Sequence, residues 1–178
     1  NIMVIGDQSD YIMRSIRGVF SNVFQAVLLC ALVMFLFFKT LRSTFITVIS
    51  IPVSLIGSFL VMRALGLSIN NLTMMGISLA VGMVVDATTV VLENVHRQVE
   101  GGLKPLEASI KGTQEVAFSV VAGAATTMAV FAPIAFMGGI VGRFFYHFGI
   151  TVVVTVGLSL MVSLTLTPFL CSLALKHE

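Results

Sequence analysis

The stretch that decides the fold is GISLAVGMVVDATTVVLENVHRQ, residues 76–98. From Gly76 to Leu92 its only charged residue is Asp86. A membrane-spanning helix needs about 20 mostly apolar residues, and this run with the residues before it meets that length. Because the apolar residues are continuous rather than alternating, the stretch predicts a transmembrane helix and not a strand of a barrel.

The composition of the whole chain agrees with a lipid environment. Of 178 residues, 57% are hydrophobic and 10% are charged, and the mean hydropathy is +1.06. A soluble domain carries about 25% charged residues, so too little polar surface is present to cover a soluble fold. The net charge of +2 is small and dispersed, which gives no sign of nucleic-acid binding.

Similar apolar runs occur on both sides of this stretch. They predict an all-α fold, a polytopic transmembrane helix bundle of about five spanning helices in a single membrane domain that occupies residues 1–178. Asn70 and Asn71 stand where a helix N-cap would open the third span. The segment from His96 to Gly112 is long enough for a small surface helix. The predicted spans are residues 18–38, 43–64, 70–96, 113–136 and 147–174.

The basic residues predict the orientation of these spans. One set of loops contains Lys39, Arg42, Arg97, Lys104, Lys111 and Lys176, and the other contains Arg14, Arg17, Arg63 and Arg143. If Arg14 and Arg17, which precede the first span, are left out, the first set has six basic residues and the second has two. The positive-inside rule therefore places the first set, and the C-terminus, in the cytoplasm. The mixed residues before the first run, beginning at Asn1, suggest a segment of a longer protein.

Asp86 is the first candidate for chemistry. It lies about ten residues from the cytoplasmic end of its span, which is roughly 15 Å deep at about 1.5 Å per residue. A carboxylate at that depth is costly unless it is protonated, hydrated or paired, and the cores of the predicted spans contain no Lys or Arg. Either the acid holds a proton or its counter-ion lies outside the chain. Both predict a proton-relay site; the alternative is a packing carboxyl bonded to the backbone or to hydroxyls.

Further candidates stand close to the deep acid in sequence. Glu93 follows by seven residues, on the same helix face, and is a candidate relay residue; the alternative is a carboxylate that is solvated or paired with Arg97. The hydroxyls of Thr88, Thr89 and Thr127 are candidates for support of the relay through water or hydrogen bonds. The alternative is that they bond the backbone of their own helices.

Other classes of site leave no pattern in the sequence. A phosphate-binding glycine loop, a nucleophile–base pair and a dinucleotide fingerprint are all missing, so we predict no catalytic residues and no cofactor-binding site. Cys30 and Cys171 lack metal-ligand spacing, and the ten methionines are scattered, which favours apolar filling over a soft-metal pathway. We therefore predict no metal site, and the driving force expected is a proton gradient rather than a cofactor.

Taken together, these stretches resemble one family of transporters. Residues 76–98 resemble the fourth transmembrane helix of the resistance-nodulation-division (RND) transporters. Residues 128–152 are similar to the end of their fifth helix and the start of their sixth, and residues 164–175 to the end of the sixth. Residues 41–57 and 70–77 also match. The resemblance covers essentially the whole chain. It implies that the chain corresponds to transmembrane helices two to six in the N-terminal half of such a transporter.

The resemblance implies a function and partners. It implies a secondary active proton antiporter, not an enzyme, in the bacterial inner membrane as a multi-pass protein. It also implies a homotrimer that works with a periplasmic adaptor and an outer-membrane channel. The porter domains and the second membrane half would lie outside this chain, and the isolated segment would be inactive.

The resemblance also bears on individual residues. Asp86 matches the first of two adjacent aspartates that are coupled to a lysine of the other half, but Ala87 stands at the second position. Glu93 matches the glutamate that closes the motif. Residues 131–145 resemble the branch that exports drugs and other hydrophobic or amphiphilic compounds, whereas a single acid is typical of the heavy-metal efflux branch. The remaining alternatives are a related export helper and a sterol-sensing-type membrane protein.

Overall fold

The computed structural model describes residues 8–175. Within that range the chain forms helices and no strand, which confirms the predicted all-α class. The helices are α1 (Gln8–Phe38), α2 (Leu41–Ala64), α3 (Asn71–Glu100), α4 (Pro105–Ala135) and α5 (Gly139–Ala174).

The start of α3 is fixed by a capping box. The side-chain oxygen of Asn70 accepts hydrogen bonds from the backbone N–H groups of Leu72, at 2.9 Å, and Thr73, at 3.0 Å. In return the Thr73 hydroxyl accepts a bond from the Asn70 N–H at 2.8 Å. These bonds satisfy N–H groups that have no partner inside the helix. The N-cap predicted at this point is confirmed, with Asn70 as the capping residue.

The connection between α3 and α4 is shorter than the sequence suggested. The segment from His96 to Gly112, which is long enough for a small surface helix, belongs largely to the two neighbouring helices, because α3 continues to Glu100 and α4 already begins at Pro105. Gly102 takes a positive φ of 94° in the turn that ends α3, a conformation that glycine adopts without strain. Pro105 opens α4, where its missing N–H is not needed.

Four of the helices, α2 to α5, are long and apolar enough to cross a membrane. The described apolar part of α1 is Val23–Leu36, which is shorter than the roughly 20 residues that a span requires. The polar residues Arg17, Ser21 and Asn22 precede this part. A multi-pass helical membrane protein is therefore confirmed with four spans, and the fifth stays a prediction.

The bundle is arranged around α3 and α5. Helix α3 contacts each of the other four helices, and α5 contacts α2, α3 and α4. Small hydroxyl residues line the contact of α2 with α5, where the Ser50 and Thr167 hydroxyls lie 3.4 Å apart. Small side chains let helix backbones approach closely in lipid, where the hydrophobic effect does not drive association. Buried hydroxyl residues recur along both helices: Ser43, Thr47, Ser50, Ser54 and Ser58 on α2 and Thr151, Thr155, Ser159, Ser163 and Thr167 on α5.

One face of α3 remains uncovered. In the part of the chain that the structure describes, α1 and α4 both contact α3 but not each other. A stripe of α3 at intervals of three and four residues is exposed between them, and we call it the open face of α3. Its residues are Asn71, Met75, Leu79, Gly82, Asp86, Val90, Glu93, Arg97 and Glu100.

Candidate functional site

Asp86 lies at the centre of the open face. It is at the midpoint of α3, about 22 Å along the axis from either end at about 1.5 Å per residue. With a hydrocarbon core about 30 Å thick, a helix of this length is longer than the core, and its midpoint lies near the bilayer centre if the helix extends equally beyond both surfaces. The depth of Asp86 in the bilayer stays a prediction.

A groove between α1 and α3, which we call the α1 groove, passes Asp86 on one side. Its volume is about 730 Å³. Asp86 and Glu93 are its only charged lining residues, and Cys30 and Met34 face them from α1. The two acids therefore share one face of α3, as their seven-residue spacing predicted.

A second groove, the α4–α5 groove, passes Asp86 on the other side. It lies between α3, α4 and α5 and has a volume of about 260 Å³. Its polar lining comes from Asp86 and the hydroxyls of Ser119, Thr127 and Ser159. Ser159 is buried and donates a hydrogen bond to the backbone carbonyl of Val84, 3.3 Å away, which joins α5 to the turn of α3 that carries the acid.

The three threonines singled out in the sequence are bonded to their own helices. The hydroxyls of Thr88, Thr89 and Thr127 each donate to the carbonyl four residues earlier, at 3.2, 2.8 and 3.1 Å. Thr89 lines the α1 groove and Thr127 the α4–α5 groove, so their oxygens can still accept hydrogen bonds from water there. Thr88 is buried and lines neither groove. A supporting role for these residues stays a prediction.

Arg97 does not pair with Glu93. Its guanidinium lies 3.8 Å from the carboxylate of Glu115 on α4 and also donates to the side-chain oxygen of Asn94. Glu93 lines the α1 groove one turn before Arg97 on the same open face of α3, but the two side chains form no ion pair. This geometry leaves the relay role of Glu93 open and removes Arg97 as its neutralising partner.

Asn94 connects α3 to α4, a contact that was not predicted from the sequence. The buried Asn94 amide donates to the carbonyl of Gly112, at 2.7 Å, and to the carboxylate of Glu115, at 3.0 Å. Gly112 is needed there because a Cβ would lie 2.9 Å from the Cα of Val95. An asparagine near the end of an apolar helix, followed by a glycine in the next helix, is the signal that could have indicated this contact.

Asp86 has no partner among the side chains that the structure describes. The ion pairs there join His96 with Glu100 and Arg97 with Glu115, and no hydrogen bond to the Asp86 carboxylate is formed within this part of the chain. An isolated charge near the bilayer centre is expensive. The site can therefore bind a proton, or accept a cation brought to the open face of α3 by another segment.

A bundle with four helices long and apolar enough to cross a membrane, and with an acid halfway along α3 between two grooves, is typical of a polytopic membrane protein of the transporter class. The chain belongs to the AcrB/AcrD/AcrF family, whose sequence profile matches residues 1–178. This membership confirms the resemblance to the RND transporters.

Relatives with known names are closely similar over the same range. The chain is 44% identical over 176 residues to Multidrug resistance protein MdtC of Escherichia coli (strain K12), which covers 99% of this chain. It is 43% identical over 178 residues to Multidrug resistance protein MdtC of Enterobacter sp. (strain 638), which covers 100% of this chain. In both cases the chain spans 17% of the length of the relative.

Proposed function

We propose that the chain is part of the membrane domain of a proton-driven RND efflux pump that exports drugs or other hydrophobic and amphiphilic compounds. Family membership and the names of the relatives support the class of protein and of substrate. The observation that carries the proton-relay part is Asp86: a carboxylic acid at mid-depth of α3, open to two grooves and without a cation among the described residues. The heavy-metal alternative rests only on the single acid and stays a prediction.

The mechanism follows from the charge of one group. Protonated Asp86 is neutral and needs no partner in lipid, whereas the carboxylate requires one. We propose that a proton reaches Asp86 from the outer side, that its release is inward, and that a cation of the second membrane half approaches the open face of α3 when the carboxylate is charged. Each cycle then changes an interaction worth several kcal/mol near the bilayer centre, on the order of the cost of one buried charge. The resulting helix movement would drive the porter domains.

The position after Asp86 limits the number of protons. Ala87 lines the α4–α5 groove beside the acid and offers no second carboxylate. A single acid changes its charge by one unit, so we propose that this half-site carries one proton per cycle. Glu93, about 10 Å along the α1 groove at roughly 1.5 Å per residue, would pass protons between Asp86 and the cytoplasmic surface.

The assembly is proposed on the same basis. We place the chain in the bacterial inner membrane, with α1 as a fifth span and the C-terminus in the cytoplasm, as the six-against-two distribution of basic residues favours. The complete pump would be a homotrimer that works with a periplasmic adaptor and an outer-membrane channel. A cysteine introduced at Lys104 of a cysteine-free pump should react with an impermeant maleimide only from the cytoplasmic side; labelling from outside would refute this orientation.

The decisive experiment is Asp86→Asn in the full-length pump, because the amide keeps the size of the side chain and cannot bind and release a proton near neutral pH. We expect efflux of a lipophilic dye such as ethidium to be abolished at normal expression. The matched control is Glu93→Gln in the same groove, which should slow efflux without abolishing it. Normal efflux by the Asp86 variant would disprove the proposal.

A further inference from the structure

A third groove lies away from Asp86, where α2 ends and its connection to α3 begins. Its volume is about 570 Å³. The apolar walls include Ile56, Leu60 and Ile69, whose side chains are 60%, 63% and 49% exposed. Among the residues that the structure describes, Arg63 is the only charged one that lines it. We call it the Arg63 groove.

The floor of the Arg63 groove is part of the bundle core. Phe59 and Leu67, both half-buried, pack against the apolar core cluster that contains Met62. Because these residues are held by the core, the groove is a fixed feature of the end of α2. Gly66, with a φ of 70°, turns the chain at its rim.

Arg63 is exposed and lies in the last turn of α2. Among the side chains that the structure describes, it forms no ion pair with an acid. An arginine at the end of a spanning helix reaches the membrane surface with its guanidinium, while its aliphatic stem stays in the apolar region. The groove thus has one cationic group at its mouth.

The apolar part of the groove extends from the mouth into the membrane. Ile56 precedes Arg63 by seven residues, so the two lie on the same face of α2 and about 10 Å apart along the axis at roughly 1.5 Å per residue. Leu60 lies between them, one turn from each. This order, a cation at the surface and branched aliphatic side chains below it, complements an amphiphile with an anionic headgroup and an acyl tail.

We propose that the Arg63 groove binds an anionic phospholipid, with the phosphate at the Arg63 guanidinium and an acyl chain along Leu60 and Ile56. Guanidinium groups hold phosphate through two parallel hydrogen bonds, which an ammonium group cannot reproduce. The inference does not depend on the role of Asp86, because the site shares no residue with the two grooves at that acid.

The test uses the full-length pump in detergent and native mass spectrometry with phosphatidylglycerol or phosphatidylcholine as the probe. The wild type should bind phosphatidylglycerol more tightly, and Arg63→Gln should weaken that binding about five-fold, the equivalent of about 1 kcal/mol for one basic residue near an anionic lipid. Arg63→Lys should retain part of the preference. The matched control is Arg143→Gln, which removes an exposed arginine at the start of α5, outside this groove, and should change nothing.

Two further measurements separate the lipid from other occupants. Leu60→Trp keeps the cation and fills the groove at an exposed position, so it should lower the binding of phosphatidylglycerol while the protein stays folded. Glycerol phosphate, which is the headgroup without a tail, should not compete. Three results would each overturn the proposal: equal binding of the two lipids, equal binding of phosphatidylglycerol by the wild type and Arg63→Gln, or full competition by glycerol phosphate. Equal binding of the two lipids would indicate that a helix of the pump covers the groove.

Discussion

Replacing Gly112 by alanine should loosen the contact between α3 and α4. The new Cβ would lie 2.9 Å from the Cα of Val95 and 3.0 Å from its backbone nitrogen. Backbone atoms cannot turn aside as a flexible side chain can, so the start of α4 has to move by about 0.5 Å to reach ordinary van der Waals contact. That movement also lengthens the hydrogen bond from Asn94 to the Gly112 carbonyl, now 2.7 Å, towards the limit for such bonds.

The expected change in stability for Gly112→Ala is the sum of effects with opposite signs. Overpacking a tight contact costs about 1–3 kcal/mol, and weakening one hydrogen bond adds up to about 1 kcal/mol. Alanine in place of glycine inside a helix gains about 1 kcal/mol. These terms sum to about 0–3 kcal/mol, so the central expectation for Gly112→Ala is a loss of about 1–2 kcal/mol in local stability, which is a factor of about 5–30 in the population of the open contact.

Hydrogen–deuterium exchange of the full-length pump measures this loss directly. Peptides that cover the end of α3 and the start of α4 should exchange about 5–30 times faster in Gly112→Ala than in the wild type. The matched control is Gly123→Ala on the same helix, where a Cβ would meet nothing within 4 Å and exchange should be unchanged or slower. Equal exchange in the two variants would refute the close approach of α4 to Val95.

Three other predictions concern the same bundle. Asn70→Ala removes the acceptor for two N–H groups of α3 and should cost about 1 kcal/mol, seen as faster exchange in its first turn, whereas Asn70→Asp should restore protection. Asn94→Ala leaves the Gly112 carbonyl and the Glu115 carboxylate without their hydrogen bonds, and it should lower the free energy of unfolding by about 2–3 kcal/mol in a detergent titration. Arg97→Ala should lower it by less than about 1 kcal/mol, because the ion pair of Arg97 is 3.8 Å long and its side chain is 72% exposed. The buried Cys171 should react with N-ethylmaleimide only after unfolding, seen as a mass increase of the peptide that contains it; labelling of that peptide in the folded pump would contradict its burial.

Much of the fold could be predicted because few backbone conformations satisfy their own hydrogen bonds in lipid. A continuous apolar run in a membrane must be a helix, since its backbone groups have no water to bond. The N-cap at Asn70 and the shared face of Asp86 and Glu93 are local consequences of helix geometry, and both were found from spacing alone.

The contacts between helices could not be predicted in this way. Lipid and the bundle core are both apolar, so a residue of α4 can be apolar whether it faces one or the other. The hydrophobic pattern of α4 therefore does not distinguish its few buried residues from the many exposed ones. The short connection after Glu100 was missed because charged residues in the first turns of α4 were read as loop. The bond from Asn94 to Gly112 joins residues far apart in sequence, and only the folded chain brings them together.

The hydrogen bonds around α3 indicate how a change of charge at Asp86 would be transmitted. Ser159 joins α5 to the Val84 carbonyl of α3, two residues before the acid, and Asn94 joins α3 to α4. Among the described residues, the only polar contact between α1 and α3 is the one between the Thr89 hydroxyl and the Met34 sulfur, at 3.6 Å, and it competes for the proton that the hydroxyl donates to the Val85 carbonyl at 2.8 Å. Helices α3, α4 and α5 are thus joined by hydrogen bonds, and α2 is joined to α5 at Ser50 and Thr167, whereas α1 contacts α3 mainly through apolar side chains. A cation drawn to the open face of α3, or released from it, should therefore move these four helices against α1, so the α1 groove is where access to Asp86 and Glu93 would open and close.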